Sequence, residues 1–131
     1  MNQHLCLLCM GSNTNGSAHL STAREALSMA FPKIHFGETM QTEPIRMSNP
    51  TLFDNQLGWF TTLQSAEEII SFFKNIEKKC GRKPEDKGLG IVKLDLDLLI
   101  YDNTVLKPED LQRSYVKEGL KQLSPHFCLY T

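Results

Sequence analysis

The clearest pattern in the chain is an alternation of apolar and charged residues between Ile91 and Tyr101. Apolar side chains occupy every second position, namely Val92, Leu94, Leu96, Leu98 and Ile100. The positions between them include Lys93, Asp95 and Asp97. A period of two is typical of a β-strand with one buried face and one polar face. The pattern therefore predicts a strand that carries two carboxylates on the same side.

Asp95 and Asp97 are the first candidates for chemistry. Two residues apart on one strand, their Cα atoms would lie roughly 6–7 Å apart. That is close enough for both carboxylates to bind a hard cation such as Mg²⁺, which takes its remaining ligands from water and phosphate. The alternative is an ordinary solvent-facing strand whose acids pair with nearby lysines.

The rest of the chain alternates between strand and helix patterns. Strand-like runs are predicted at residues 5–10, 34–42 and 53–63. A first helix is expected from an N-cap at Ser17 to Ala30, and a second from the capping box at Ser65 to Cys80, before Gly81. A third helix should begin at Pro108 and run to about residue 123.

The order of these elements predicts an α+β fold. Strand, helix, strand, strand, helix, strand is the order of the ferredoxin-like sandwich, an antiparallel sheet backed on one face by two helices. The helix after Pro108 is then an additional C-terminal element. All 131 residues are expected to form one domain, and a ligand would lie on the open face of the sheet.

Three connecting segments could contact a ligand. Gly11-Ser12-Asn13 follows the first strand, where backbone N–H groups could face a ligand, although a plain strand-to-helix turn fits equally well. Residues 43–50 contain two prolines and form a loop. Residues 82–90 are polar and are expected to form a mobile loop. From Lys74 to Lys93 there are seven basic residues and three acidic ones, a surplus suited to phosphate.

Composition excludes several classes of function. The net charge is −1, which gives no basis for broad binding to nucleic acid or to membrane surfaces. No apolar run approaches the ~20 residues of a membrane span, so a cytoplasmic protein is expected. Cys6 and Cys9 have the C-x-x-C spacing, but on a strand they would face opposite sides. With Cys80 and Cys128 they are expected to be reduced packing residues.

Five short motifs in one order resemble the 6-hydroxymethyl-7,8-dihydropterin pyrophosphokinase family of folate synthesis. They are Gly11-Ser12-Asn13, Thr42-x-Pro44, Phe53-x-Asn55, Glu77-x-x-x-Gly81-Arg82 and Leu94-Asp95-Leu96-Asp97. The resemblance implies transfer of pyrophosphate from ATP to the hydroxymethyl group of the pterin, with release of AMP. It also implies a Mg²⁺ requirement. A monomer is expected, with a partner chain that supplies the missing cations as the alternative.

The resemblance also assigns roles to residues. It implies that Asp95 and Asp97 hold two Mg²⁺ ions between the ATP phosphates, that Asn55 binds the pterin edge and that Phe53 stacks on the ring. Gly11, Thr42 and Pro44 would line the pterin site, and Arg82 would belong to a basic catalytic loop. The remaining residues implied at the nucleotide are Lys74, Glu77, Lys93, Leu98, Arg113 and Tyr115.

The chain departs from the family pattern at three places, one of which is the basic loop, where Pro84, Gly88 and Leu89 stand in place of the arginines and the aromatic residue expected there. Family members usually carry Gly-Pro-Arg before the acidic strand, where this chain has Gly90-Ile91-Val92. Beyond Leu111, the family's Pro-His motif, a later arginine and a second pterin-stacking aromatic residue have no clear counterpart, and Arg113 and Tyr115 are the candidate stand-ins. Two alternatives to an enzyme therefore stay open. One is a non-catalytic homologue that binds a pterin or nucleotide as a regulatory or partner subunit, and the other is a ferredoxin-like interaction module.

Overall fold

The computed structural model describes residues 3–43 and 51–123. In these two segments the strands are β1 (His4–Ser12), β2 (His35–Phe36), β3 (Met40–Thr42), β4 (Phe53–Thr62), β5 (Asp95–Tyr101) and β6 (Thr104–Val105). The helices are α1 (Gly16–Ala30), α2 (Ala66–Lys79), α3 (Pro84–Gly88), α4 (Pro108–Leu111) and α5 (Ser114–Lys121). The predictions for Pro44, the rest of its loop up to residue 50, and Cys128 fall outside the described residues.

The strands form one antiparallel sheet in the order β2-β4-β1-β5-β6, and β3 also pairs with β4. The central strand is β1, which is buried from Cys6 to Ser12 because β4 and β5 flank it and helices cover it. The predicted α+β ferredoxin-like architecture is confirmed. Among the described residues no helix is long and apolar enough to span a membrane.

Each face of the sheet has its own apolar core. On the first face, Cys6, Leu8 and Met10 of β1 pack against α1 and α2. On the second face, Leu7 and Cys9 pack against residues of α4 and α5. Cys6 and Cys9 thus point to opposite sides, and both are free thiols, as predicted.

The second face is less open than the sequence predicted. Leu111 of α4, together with Val116 and Leu120 of α5, packs on Leu57 and Leu99 of the sheet. Gly119 of α5 lies so close to Leu57 that an added Cβ would meet the Leu57 side chain at 2.6 Å. A ligand on this face therefore has only the part of the sheet that α4 and α5 leave uncovered.

Two sequence predictions were wrong in the first half of the chain. The N-cap of α1 is Asn15 in the left-handed conformation, not Ser17, and the helix begins at Gly16. The predicted strand at residues 34–42 is two short strands, β2 and β3. Their pairing with β4 is interrupted after Phe36, because the Gln56 side chain donates a hydrogen bond to the Gly37 carbonyl there.

The acidic strand also differs from its prediction. It begins only at Asp95. A bulge at Leu99 shifts the register, because Leu8 pairs with Leu98 whereas Leu7 pairs with Ile100. Ile100 therefore packs on the second face, opposite Leu96 and Leu98, and the single apolar face predicted from Val92 to Ile100 is wrong at both ends.

Two further segments differ from their predictions in helical structure. The loop expected at residues 82–90 includes α3, whose first turn is closed because the Lys83 N–H donates to the Asp86 carboxylate at 3.0 Å. The helix expected from Pro108 to about residue 123 is broken into α4 and α5. The break lies at Gln112 and Arg113. Gln112 is the C-cap of α4, and Arg113, whose backbone is extended, is the N-cap of α5.

Asn13 fixes the segment that leads into β5. Its Nδ2 donates to the Gly90 carbonyl at 2.8 Å, and its Oδ1 accepts the Val92 N–H at 2.7 Å. Its own N–H donates to the Val92 carbonyl at 2.9 Å. Asn13 is only 6% exposed, so these bonds are shielded from water. The Gly11-Ser12-Asn13 motif thus uses its asparagine to position residues 90–92.

We expect Gly119→Ala to destabilise the protein, although alanine favours helices. The new Cβ would overpack the buried Leu57 side chain, and overpacking of this kind costs about 1–3 kcal/mol. Gly88→Ala is the matched control, because an added Cβ there meets nothing within 4 Å. Urea denaturation of both variants measures the difference. Equal free energies of unfolding would contradict the packing of α5 on β4.

We expect Asn13→Ala to lower the free energy of unfolding by about 1–3 kcal/mol, because it leaves the partly buried Val92 N–H without its acceptor. Asn13→Asp keeps that acceptor but cannot donate to the Gly90 carbonyl, so it should also destabilise the protein. The control is Asn75→Ala on the exposed face of α2. The measurement is again urea denaturation. If Asn13→Ala were as stable as Asn75→Ala, Asn13 would not hold residues 90–92 in place.

Candidate active site

The candidate site is built on one row of residues across three strands. Gly11 of β1 pairs with Asn55 of β4 on one side and with Asp95 of β5 on the other. Adjacent strands are 4.7–4.9 Å apart, so the Cα atoms of Asn55 and Asp95 are about 10 Å apart. All three residues belong to the second face, like Leu57 and Cys9. The row therefore has an amide, a glycine without a side chain and a carboxylate side by side.

Gly11 is required in the middle of the row. A Cβ at this position would lie 2.8 Å from Oδ1 of Asn55, closer than an ordinary contact. The Asn55 amide is 5% exposed, and its Nδ2 donates to the Thr42 hydroxyl at 2.6 Å. The glycine thus leaves room for the amide oxygen, and Thr42 fixes the orientation of the amide.

A cavity of about 180 Å³ lies over this row. Its strand residues are Cys9, Gly11, Thr42, Phe53, Asn55, Asp95 and Asp97, with Glu43 following β3. The helical residues that line it are Asp110, Arg113 and Tyr115. Arg113 Nε donates to Asp110 at 3.0 Å, and Tyr115 and Cys9 both line the cavity. An aromatic ring, an amide and a charged pair therefore surround a space suited to a small, flat polar ligand.

A second, larger depression is a groove between α2, α3 and β5. Its apolar wall includes Ile70, Phe73, Leu98 and Leu106. Its cations are Lys74, Lys78, Arg82, Lys83, Lys87 and Lys107. Asp95 and Asp97 line both the groove and the cavity. The carboxylate pair is therefore the boundary where ligands in the two spaces would meet.

The electrostatics of this boundary favour a bound cation. Burial, and then the charge of Asp95, raise the pKa of Asp97 to about 7. Two carboxylates in such a place need positive charge to remain ionised together. Their oxygens fit a hard divalent ion. Within residues 3–43 and 51–123 they are not part of a cluster of three or more acidic, histidine or cysteine residues that could hold a metal ion.

Arg82 is fixed beside the pair. Its Nη1 donates to Glu77 at 2.8 Å, to Asp95 at 3.1 Å and to the Leu94 carbonyl at 3.4 Å. Glu77, only 8% exposed, also accepts the Leu96 N–H at 2.8 Å, and its burial raises its pKa. Glu77 therefore links Arg82 to the backbone of β5. Arg82 itself lies in the irregular segment between α2 and α3, at the start of the loop that the sequence predicted.

Two residues before β5 have different surroundings from those expected. Lys93 was predicted to share the polar face with the aspartates, but its Nζ donates to the Gly81 carbonyl at 2.9 Å and lies 3.4 Å from Asp86. It lines neither the cavity nor the groove. Val92, which precedes the strand, does line the groove. The strand periodicity failed here because Asn13 holds residues 90–92 outside the sheet.

The other predicted site residues are divided between the two spaces. Lys74, Glu77 and Leu98 line the groove, although Leu98 is only 2% exposed. Arg113 and Tyr115, predicted at the nucleotide, line the cavity with Asn55. That Arg113 and Tyr115 bind the nucleotide stays a prediction.

Two residues near the aspartates were not predicted from the sequence. Asp110 lines the cavity, and Nζ of Lys107 lies 4.0 Å from Oδ1 of Asp97. The spacing of Asp110 and Arg113, three residues apart, was the available signal for the first. Nothing comparable marks Lys107, because its neighbour Asp97 is ten positions away in the sequence.

Comparison with known protein families gives a match over most of the chain. The family model described as 7,8-dihydro-6-hydroxymethylpterin-pyrophosphokinase matches residues 7–125. The match includes every strand except the first residues of β1, and all five helices of the described segments. Enzymes of this family use ATP with Mg²⁺ in folate biosynthesis. The chain belongs to the 7,8-dihydro-6-hydroxymethylpterin pyrophosphokinase family.

Proposed function

We propose that this protein transfers pyrophosphate from ATP to 6-hydroxymethyl-7,8-dihydropterin and releases AMP. The observation that carries the proposal is the position of Asp95 and Asp97, which line both the small cavity and the basic groove. A transfer between two bound substrates requires that the reacting groups meet at one place. The carboxylate pair is that place.

The cavity supports the pterin half of the proposal. Asn55 offers both a donor and an acceptor to the edge of a heterocycle, and Phe53 offers an aromatic face on which a flat ring can stack. Gly11 leaves room for the Asn55 amide oxygen beside it, so this amide can line the cavity. With the ring there, the hydroxymethyl group would be directed toward Asp95 and Asp97.

The groove supports the nucleotide half. Ile70, Phe73 and Leu98 offer an apolar surface for a base, and the basic residues of the same groove offer positive charge for the phosphates. Asp95 and Asp97 would hold Mg²⁺, which neutralises phosphate charge and aligns the reacting groups. Arg82, fixed by Glu77, would stabilise charge on the phosphates from a preset position.

The chain's part in the reaction is to position the substrates and stabilise charge. The hydroxymethyl oxygen forms a bond to the β-phosphorus, and the bond from that phosphorus to the α–β bridging oxygen breaks. AMP leaves with the bridging oxygen, and the proton of the hydroxyl is released to water. Transfers of this kind need in-line geometry and fixed positive charge more than a covalent nucleophile, which agrees with the residues present.

The carboxylate pair is tested by the double variant Asp95→Asn with Asp97→Asn. We expect Mg²⁺-dependent binding of an ATP analogue to be lost in calorimetry, because the amides cannot supply the negative charge that the ion requires. AMP formation from ATP and the pterin should fall below detection. In the unsubstituted protein, chelation of Mg²⁺ should have the same two effects.

The control for this test is Glu25→Gln, which removes a carboxylate from the exposed surface of α1. It should bind the analogue as the unsubstituted protein does. Thermal unfolding of the double variant checks that the fold persists. Nucleotide binding that survives the double substitution would rule out the pair as the metal site. Binding of both substrates without AMP formation would favour a non-catalytic homologue.

The cavity is tested by Asn55→Ala. We expect pterin binding to weaken by about 1–3 kcal/mol, because polar groups on the ligand edge would be left without partners. Fluorescence titration of the pterin, with and without an ATP analogue, provides the measurement. Asn75→Ala on α2 is the matched control. Absence of pterin binding to the unsubstituted protein under both conditions would favour the interaction-module alternative.

A further inference from the structure

Lys107 is a cation at the carboxylate pair that comes from a different part of the fold than the other groove cations. Its Nζ lies 4.0 Å from Oδ1 of Asp97, and its side chain is 53% exposed. The remaining cations that line the groove belong to α2, α3 and the residues between them, namely Lys74, Lys78, Arg82, Lys83 and Lys87. Lys107 lies between α4 and β6, the edge strand that pairs with β5.

The backbone of Lys107 is fixed although its side chain is exposed. Its N–H donates to the Leu99 carbonyl at 3.4 Å, beside the Leu106 N–H, which donates to the same oxygen at 2.8 Å. Its own carbonyl accepts the Asp110 N–H at 3.1 Å. Lys107 is thus anchored to β5 and is the residue from which α4 begins. Only the flexible stem of the lysine is left to move.

The contact between Lys107 and Asp97 is too long for a hydrogen bond. An exposed ion pair of this length restrains a lysine little. Arg82 differs, because three oxygens hold its guanidinium. A polyphosphate that reaches the carboxylate pair carries more negative charge than Asp97 alone, so it would attract the Lys107 ammonium away from this contact.

We propose that Lys107 binds the phosphates beyond the α-phosphate of the nucleotide, from its position beside Asp97, whereas Arg82 lies beside Asp95. This inference rests on the proposed function, since it places a phosphate chain at Asp95 and Asp97. Arg82 and Lys107 would then hold the transferred group between them. The residue adds a phosphate contact from β6–α4 to those offered by α2 and α3.

The experiment compares Lys107→Ala, Lys107→Arg and the control Lys33→Ala. Lys33 is an exposed lysine next to the end of α1, and it lines neither the cavity nor the groove. The probes are α,β-methylene-ATP with Mg²⁺, and AMP with Mg²⁺, each measured by calorimetry. Thermal unfolding of each variant reports whether the fold is retained.

We expect Lys107→Ala to weaken binding of the ATP analogue by about 10-fold to 100-fold, the effect of losing one charge-assisted hydrogen bond. Binding of AMP should be unchanged, because AMP lacks the phosphates concerned. Lys107→Arg should restore most of the affinity, and the loss for Lys107→Ala should shrink at high salt. Lys33→Ala should bind both probes normally.

Two results would overturn the inference while leaving the proposed function intact. One is a Lys107→Ala variant that binds the analogue as tightly as Lys33→Ala does. The other is an equal loss for AMP and for the analogue, which would indicate general damage to the groove. Failure of the unsubstituted protein to bind the analogue would instead refute the proposed function, and the inference with it.

Discussion

The site depends on the register of three strands at one glycine. Gly11 lies between Asn55 and Asp95, and the absence of its side chain leaves the space that the Asn55 amide oxygen requires. A shift of one residue in either pairing would turn Asn55 or Asp95 toward α1 and α2. The apolar side chains of β4 and β5 oppose such a shift, because Leu57 is buried in the core of the second face and Leu96 and Leu98 in the core of the first. Core packing therefore determines which polar groups face the cavity.

Two irregularities lie on either side of the acidic pair. Before it, Asn13 holds residues 90–92 out of the sheet, and after it a bulge at Leu99 reverses the faces of the following residues. Between these points, Asp95 and Asp97 occupy the regular part of β5, paired with Gly11 and Cys9. Regular pairing keeps the carboxylates on one face, and the bulge lets both Leu99 and Ile100 pack beneath α4 and α5.

Much of this arrangement could be predicted from local sequence signals. The alternation from Leu94 to Leu98 correctly placed both aspartates on one face, and the capping box of Ser65 and Glu68 correctly began α2. These signals act within a few residues, so the sequence pattern contains them. The order of elements was then sufficient for the ferredoxin-like fold.

The errors arise where distant residues decide the structure. The side chain of Asn13 determines the path of residues about 80 positions away. The break between α4 and α5 lets both helices pack on the second face of the sheet. Helical periodicity in the sequence does not predict this contact. The same limit concealed Lys107, whose neighbour Asp97 is close only after β5, β6 and α4 have formed. Periodicity describes one element at a time, whereas the site is defined by contacts between elements.

The cations at the carboxylate pair differ in how much freedom the fold leaves them. Glu77 holds Arg82 and the Leu96 N–H with one carboxylate oxygen, so the guanidinium, the end of α2 and β5 are fixed relative to one another. Positive charge placed before the reaction stabilises a developing negative charge without reorganisation at that moment. A substrate must nevertheless enter and leave the groove, which requires that some contacts form only when it is bound. Lys107, with a fixed backbone and an exposed stem, has the properties that this second role demands.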